Sequence, residues 1–358
     1  MSYSLFLLLH MIRQFKGERT LSGIYHVLRG KQSAQPVQDS YLFAVRPFFH
    51  TLAGLSREEF NRLTNKLEEK GWIESCSKDQ AQFRLTAIGE KSYLLGKEHY
   101  AFPKGLRYTE AIHGERLFWL RVQLLVQTLS GLLHQDSAFL TVTRDPSATE
   151  KVRGYLIEQT EPIASIARRV KTQLAAVWQL MDQQAADLLA GQLTGSGISG
   201  RTLEQFAVQF NLESIEVHLA AKSALRTMIH LIVQQPELAP DLRNLLDENE
   251  DNLTRSAQET RQLMKTGRSI EQLASIRRLA ISTIQDHLVE MALKIRHFDC
   301  SPYVSQEQEH RIREIVRRLK TRQLKPLKAR LGEQATYFQI RLILAKTSME
   351  ERGEITNV

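Results

Sequence analysis

Apolar residues recur along most of this chain at three- and four-residue intervals, the spacing that puts them on one face of an α-helix. Tyr3 to Phe15 is predicted helical, and Leu21, Ile24, Tyr25 and Leu28 mark the buried stripe of a second helix. A third segment is expected from Asp39 to Leu52, bent or restarted at Pro47 and stopped near Gly54. Ser56 with Glu59 forms a capping-box pattern ahead of Phe60, Leu63 and Leu67, and Gly71 closes that helix. The period then changes. Trp72-Ile73, a polar turn through Ser77-Lys78-Asp79 and the alternating QFRLT ending at Thr86 predict two short strands. Helical spacing returns from Ala111 to Leu133, then a short strand is expected at Ala138 to Thr143 and a turn at Asp145-Pro146-Ser147. Val152 to Leu189 is helical again with a break at Pro162, and the glycine-rich Gly195 to Gly200 reads as a connector.

The most ordered pattern lies between Thr260 and Met291. Ser269 and Gln272 form one capping box and Ser282 and Gln285 a second. Ile270, Leu273 and Ala274 give the first segment a buried face; Ile281, Ile284, Leu288 and Met291 give one to the second. Gly267 is placed to end a preceding helix in the left-handed region, and Leu279 to plug the turn after Arg277 and Arg278. This is a helix-turn-helix pattern. Arg201 to Leu219 lays over Arg268 to Leu288 as a second copy, two residues shorter before its second helix, with His218 opposite His287. Two copies suit a duplication and are too few for a solenoid. The acidic run Gln234 to Asp251 is expected to hold a helix pair and a linker.

Charge changes the picture more than composition does. Apolar content of 42% and charged content of 25% are ordinary for a globular protein. Residues 261–358 carry 19 Lys/Arg against 11 Asp/Glu, which accounts for the whole net charge of +8. The densest part, Arg311 to Arg330, has nine basic residues against Glu314 alone, a patch suited to phosphates. Two distant cysteines, Cys76 and Cys300, exclude a disulfide framework or a cysteine-rich zinc site. The apolar Leu5 to Ile12 is short and lacks flanking signals, so a buried helix is expected, with no membrane span and a cytoplasmic location.

No Walker A, helicase-type Asp-Glu box, Rossmann fingerprint, His-Glu-x-x-His or Gly-x-Ser-x-Gly occurs, so no catalytic site, metal or cofactor is expected. The Gly195 to Gly200 run lacks the Lys-Ser/Thr of a phosphate loop, and the acidic cluster Asp247, Glu248, Glu250, Asp251 reads as solvated.

Residues 1–100, with helix, strand, turn and strand in order and Leu85, Thr86 and Gly89 at the end, resemble a winged-helix domain. The acids Glu58, Glu59, Glu68 and Glu69 offset Arg62, Lys66 and Lys70 on its candidate recognition helix, the one opened by Ser56, so protein contact is expected there in preference to DNA. The last hundred residues resemble the helicase helix-turn-helix domain found at the end of some RecQ-type helicases. The residues that carry this are Gly267, Ser269-Ile270-Glu271, Leu273-Ala274, Arg278, Ser282-Thr283-Ile284, His287-Leu288, Tyr337 and Ile340-Arg341-Leu342. The whole layout is similar to the YpbB-like proteins of low-GC Gram-positive bacteria, which have this domain without a motor.

The expected architecture is therefore mainly α. It comprises a winged-helix-like domain (1–100), a helical region (101–198), a helical unit with a helix-turn-helix-like repeat (199–251) and a basic helix-turn-helix domain (252–358). The resemblance implies a non-catalytic DNA-binding accessory of a RecQ-type helicase in repair or recombination; a helix-turn-helix transcriptional regulator is the alternative. Ser282, Thr283 and Gln285 are nominated for the groove, and Arg277, Arg278, Lys294 and Arg296 for the DNA backbone. Arg317, Arg318, Lys320 and Lys325 are nominated to supply most of the attraction, although Asp286 and Glu290 on the second helix are expected to oppose phosphate.

Overall fold

The computed structural model describes residues 1–76, 82–110, 112, 114–136, 140–247 and 253–355, the last four by backbone alone. It is mainly helical and divides into two compact units. The first contains Leu5–Gly96 and Asn249–Val358; the second contains Ser2–Ser4 and Lys97–Glu248. The four sequence segments thus map onto two units, and the two ends of the chain share one of them.

The chain opens with α1 (Tyr3–Phe15), α2 (Leu21–Arg29) and α3 (Ala34–Leu42). The expected Asp39–Leu52 helix is not formed: α3 starts earlier and stops at Leu42, and only a short 3-10 turn, Arg46–Phe48, holds Pro47. Proline lacks an N–H and fits the start of such a turn, not a helix interior. Ser56 caps α4 (Arg57–Glu69) by accepting the Glu59 N–H at 3.0 Å. β1 (Ile73–Ser75) and β2 (Phe83–Leu85) pair antiparallel with Ile73 opposite Leu85, and Thr20 bridges Gln82 beside them. The tip, Ser77-Lys78-Asp79, lies outside the described residues. Thr86 then starts α5 (Ala87–His99), its hydroxyl donating to the Gly71 carbonyl and accepting the Gly89 N–H. Gly89 is required there, because a Cβ would lie 1.9 Å from the Trp72 carbonyl oxygen.

The second unit begins its helices with α6 (Glu115–Leu133), α7 (Pro146–Ile157) and α8 (Ile163–Gln179), the last two separated at Pro162 as expected. Residues 140–143 form no strand, and 137–139 lie outside the described residues. α9 (Gln183–Ala190), α10 (Leu203–Phe210), α11 (Ser214–Gln234) and the short α12 (Pro240–Arg243) follow. The expected helix pair after Gln234 reduces to α12, because α11 absorbs the apolar run before it. Phe118, Val122, Leu125, Val170, Val177, Met228 and Ile232 centre the core. Glu115 is buried within this unit and bonded by Arg226 at 2.7 Å and Lys222 at 2.9 Å. Burial alone would raise its pKa, but the two cations prevail and hold it low.

The chain finishes with α13 (Arg255–Met264), α14 (Ile270–Arg277), α15 (Ile281–Lys294), α16 (Gln306–Leu319), α17 (Leu324–Leu331) and α18 (Tyr337–Ile355). Within the first unit α3 packs on both α15 and α18. Arg341 donates to Gln38 at 3.1 Å, Ser348 to the Tyr41 carbonyl at 3.3 Å, and the Glu18 carboxylate accepts from Thr321 and the Arg322 N–H. These bonds tie the C-terminal helices to the N-terminal ones.

Candidate nucleic-acid interface

The α13–α14–α15 unit is held by its caps. Ser269 accepts the Gln272 N–H while the Gln272 side chain accepts the Ser269 N–H, completing the first expected box. α14 ends at Arg278 with φ 52°, left-handed, and Leu279 follows by bonding its N–H to Ala274 and packing against Leu273, Ala274 and Ile284. Gly267, with φ 73°, ends the preceding turn. The second expected box is not formed. Ala280 is the N-cap, so α15 starts two residues earlier than that box requires and Ser282 falls inside its first turn. α15 buries Ile284, His287, Leu288, Val289, Met291, Ala292 and Leu293, because α13, α14, α18 and α3 surround it. Its first turn is the most open to solvent: Ile281 and Ser282 are exposed, and Thr283 and Gln285 half-buried, as is Asp286 just beyond.

Its charges are resolved internally. Asp286 pairs with Arg341 at 2.6 Å. Glu290 accepts from the Thr254 N–H and hydroxyl and pairs with Lys294. Lys294, nominated for the DNA backbone, has a side chain only 2% exposed. Burial outweighs the attraction of Glu290 and pushes its pKa down to about 8. Arg277, also nominated, binds the Ser256 carbonyl, the Thr260 hydroxyl and the Glu259 carboxylate, locking α14 to α13. His287 bonds Thr260 at 2.8 Å, and burial, aided by Arg277, holds its pKa below the usual imidazole value. Both cations are withdrawn from solvent because they offset buried acceptors. Arg278 and Arg296 are exposed and carry no ion pair among the described residues. Lys265 and Arg268, in the turn before α14, are exposed in the same way; sequence reasoning passed over them because each sits alone, outside the dense basic run.

The second group of cations lies at the α16–α17 corner. α16 starts with a complete Ser305–Gln308 box and ends at Lys320 in the left-handed region with φ 48°. Of the nine basic residues from Arg311 to Arg330, four are engaged. Arg311 pairs with Glu314, Arg313 with Glu309 and Glu350, and Arg322 with Glu351, while Lys328 donates to the Gly332 carbonyl. The other five, Arg317, Arg318, Lys320, Lys325 and Arg330, are exposed and unpaired among the described residues. The first four are the cations the sequence nominated; Arg330 extends the set. Cations in the last turn of α16 also face the negative end of its dipole.

The first copy repeats this geometry. Thr202 and Gln205 form a complete box, α10 and α14 are both eight residues long, and Asn211 takes the left-handed cap that Arg278 takes in the second copy. The second helices begin at Ser214 and Ile281, each three residues past its cap, so the expected two-residue difference does not exist. Aligned this way Gln285 stands opposite His218, and the two histidines are unrelated: His218 bonds its own Ser214 carbonyl. The connector before α10 is no phosphate cradle, since the N–H groups of Gly195, Ser196, Ile198 and Gly200 all have internal acceptors. Among the described residues no three His, Cys, Asp or Glu side chains gather to hold a metal, and no helix is long and apolar enough to cross a membrane.

Residues 256–344 match a family described as a helix-turn-helix domain. Over 351 residues the chain is 30% identical to Protein YpbB of Bacillus subtilis (strain 168), covering 97% of this chain and 98% of that protein. The chain belongs to the YpbB family. No solved structure matches it. In this member of the YpbB family the match to the helix-turn-helix domain reaches into α18, so the α16–α17 corner belongs to the same module as the helix-turn-helix.

Proposed function

We propose that the chain is a non-catalytic DNA-binding accessory of a RecQ-type helicase, acting in repair or recombination in the cytoplasm. The observation that carries this reading is a division of labour inside the helix-turn-helix domain. Beyond its first turn the helix that would read a major groove is largely covered by neighbouring helices, whereas nine cations on either side of α14, after α15 and at the α16–α17 corner stand exposed without partners among the described residues. Base-edge reading falls to the first turn of the second helix, here Ser282, Thr283 and Gln285, whereas counterion release needs only cations, which this domain exposes in greater number. The interface is therefore one of charge, with Ser282, Thr283 and Gln285 limited to end-on contact and Arg278, Arg296, Arg317, Arg318, Lys320 and Lys325 holding phosphates. A transcriptional regulator would instead draw its specificity from Ser282, Thr283 and Gln285 at the start of α15. The test pairs the full chain with a RecQ-type helicase from the same organism. The expected result is salt-sensitive retention of forks and duplexes with little sequence preference, together with a changed unwinding rate. Retention confined to one operator sequence, with unwinding unaltered, would select the regulator.

A further inference from the structure

Far from the cations just described in sequence, α6 and α8 of the second unit leave an apolar groove of about 610 Å³ between them. Its wall on α8 is a row at helical spacing, Ala164, Ala167, Arg168, Lys171, Ala175 and Trp178, and its floor includes Leu129, Val170 and Leu174. Leu133 on the α6 side is 46% exposed. From Ala164 to Trp178 the row runs about 21 Å at ~1.5 Å per residue, four helical turns. Three of its members are alanines, which let a second helix approach closely. Arg168 and Lys171 are exposed, and among the described residues they have no ion pair and no carboxylate lines the groove. The indole N–H of Trp178 has no acceptor among the described residues.

We propose that this groove docks an amphipathic helix of a partner protein, about four turns long, with leucine-like anchors flanked by Asp or Glu. The length of the row and its small residues select a helix over a compact ligand. The two unpaired cations select acidic flanks. The groove stands apart from the DNA reading above and does not depend on it.

The test uses the full chain and two labelled 18-residue peptides with identical leucine stripes, one flanked by Glu and one by Lys, followed by fluorescence polarisation at low salt. The Glu peptide is expected to bind at least tenfold more tightly. Arg168→Glu with Lys171→Glu should reverse that order, and Ala175→Trp, which fills the groove without changing charge, should weaken both peptides at least tenfold. All three positions are exposed, so the fold is retained, and duplex retention measured in parallel should be unaffected. Equal affinity for the two peptides, no binding of either, or insensitivity to the charge reversal would overturn the proposal. So would a dimer in sedimentation that Ala175→Trp dissolves, since a second copy of the chain would then be the occupant.

Discussion

Replacing Arg317, Arg318, Lys320 and Lys325 together by Gln tests the charge reading most directly, since none has a carboxylate partner among the described residues. Each cation that neutralises a duplex phosphate contributes about 0.9 to the slope of log affinity against log salt, so four contribute about 3.6. Between about 50 and 200 mM salt that slope corresponds to a factor of about 150, the amount by which the advantage of the unaltered chain over the variant should shrink. The assay is polarisation of a labelled duplex titrated with full-length chain across a salt series. Arg311→Gln is the control, because Arg311 already pairs with Glu314 at 2.6 Å; its slope should change by less than ~0.5. If the fourfold variant changes the slope by less than ~1, or Arg311→Gln changes it as much, exposed unpaired cations are not what holds the DNA.

Other consequences separate cations that look alike in sequence. Arg277→Ala should lower stability by about 2 kcal/mol, because it strips partners from Ser256, Thr260 and Glu259, whereas Arg278→Ala should leave the urea midpoint nearly unchanged and weaken DNA retention. Lys320→Gly relieves a left-handed backbone that costs a non-glycine residue roughly 1 kcal/mol; thermal melts should rise while retention at low salt falls, and a lower melting point would refute the strain argument. Ser269→Ala should cost about 1 kcal/mol as a lost N-cap, and Ser282→Ala less than ~0.5, which denaturant titration resolves. The folded-state pKa of Lys294 lies below its unfolded value, so the unfolded chain binds more protons from about pH 8 up to 10.5, and this group's contribution to stability increases with pH there. Unfolding free energies of the unaltered chain minus those of Lys294→Met should therefore rise from pH 7.5 to 9.5; a flat difference would contradict the buried ammonium.

What the sequence made legible was local. The cap at Ser56, the box at Ser269, the break at Pro162, the left-handed Gly267 and the hairpin around Ile73 and Leu85 each depend on residues within a few positions of one another, although Glu59 does not complete the box expected at Ser56. Ser282 misled because a box pattern states which residues can cap, not where the helix begins; Leu279 fixes the turn and sets the start at Ile281. The burial of α15 had no local signal, since two of the helices that cover it, α3 and α18, come from opposite ends of the chain. The sorting of the basic run was equally hidden. Arg313 and Arg322 look as free as Arg317 until α18 brings Glu350 and Glu351 beside them. Within that run the nominated cations, Arg317, Arg318, Lys320 and Lys325, keep a solvent position because they lie at the end of α16 and the start of α17, which those carboxylates do not reach.

The two copies of the helix-turn-helix unit show how little the backbone decides about DNA. Each has a complete capping box, an eight-residue first helix, a left-handed cap and a leucine plugging the turn, Leu212 in one and Leu279 in the other. What differs is the chemistry hung on that frame. The turn reads Asn211-Leu212-Glu213 in the first copy and Arg278-Leu279-Ala280 in the second. Asparagine is the residue that tolerates the left-handed cap well, so the first copy adopts it with little strain. The second copy accepts the cost of arginine at the same φ and gains an exposed guanidinium at the tip of the turn. Lys320 repeats the choice at the end of α16, again with a cation where glycine or asparagine would be less strained. Lys16, Ala44, His50 and Gln135 also take positive φ elsewhere in the chain, but within the described part of the helix-turn-helix domain the non-glycine residues that do so, Arg278 and Lys320, both project positive charge from a turn, which ties the DNA-binding reading to the caps. Exchanging Asn211 and Arg278 between the copies should move stability and retention in opposite directions at each site, while a swap that left retention unchanged would reduce the strained caps to accidents of packing.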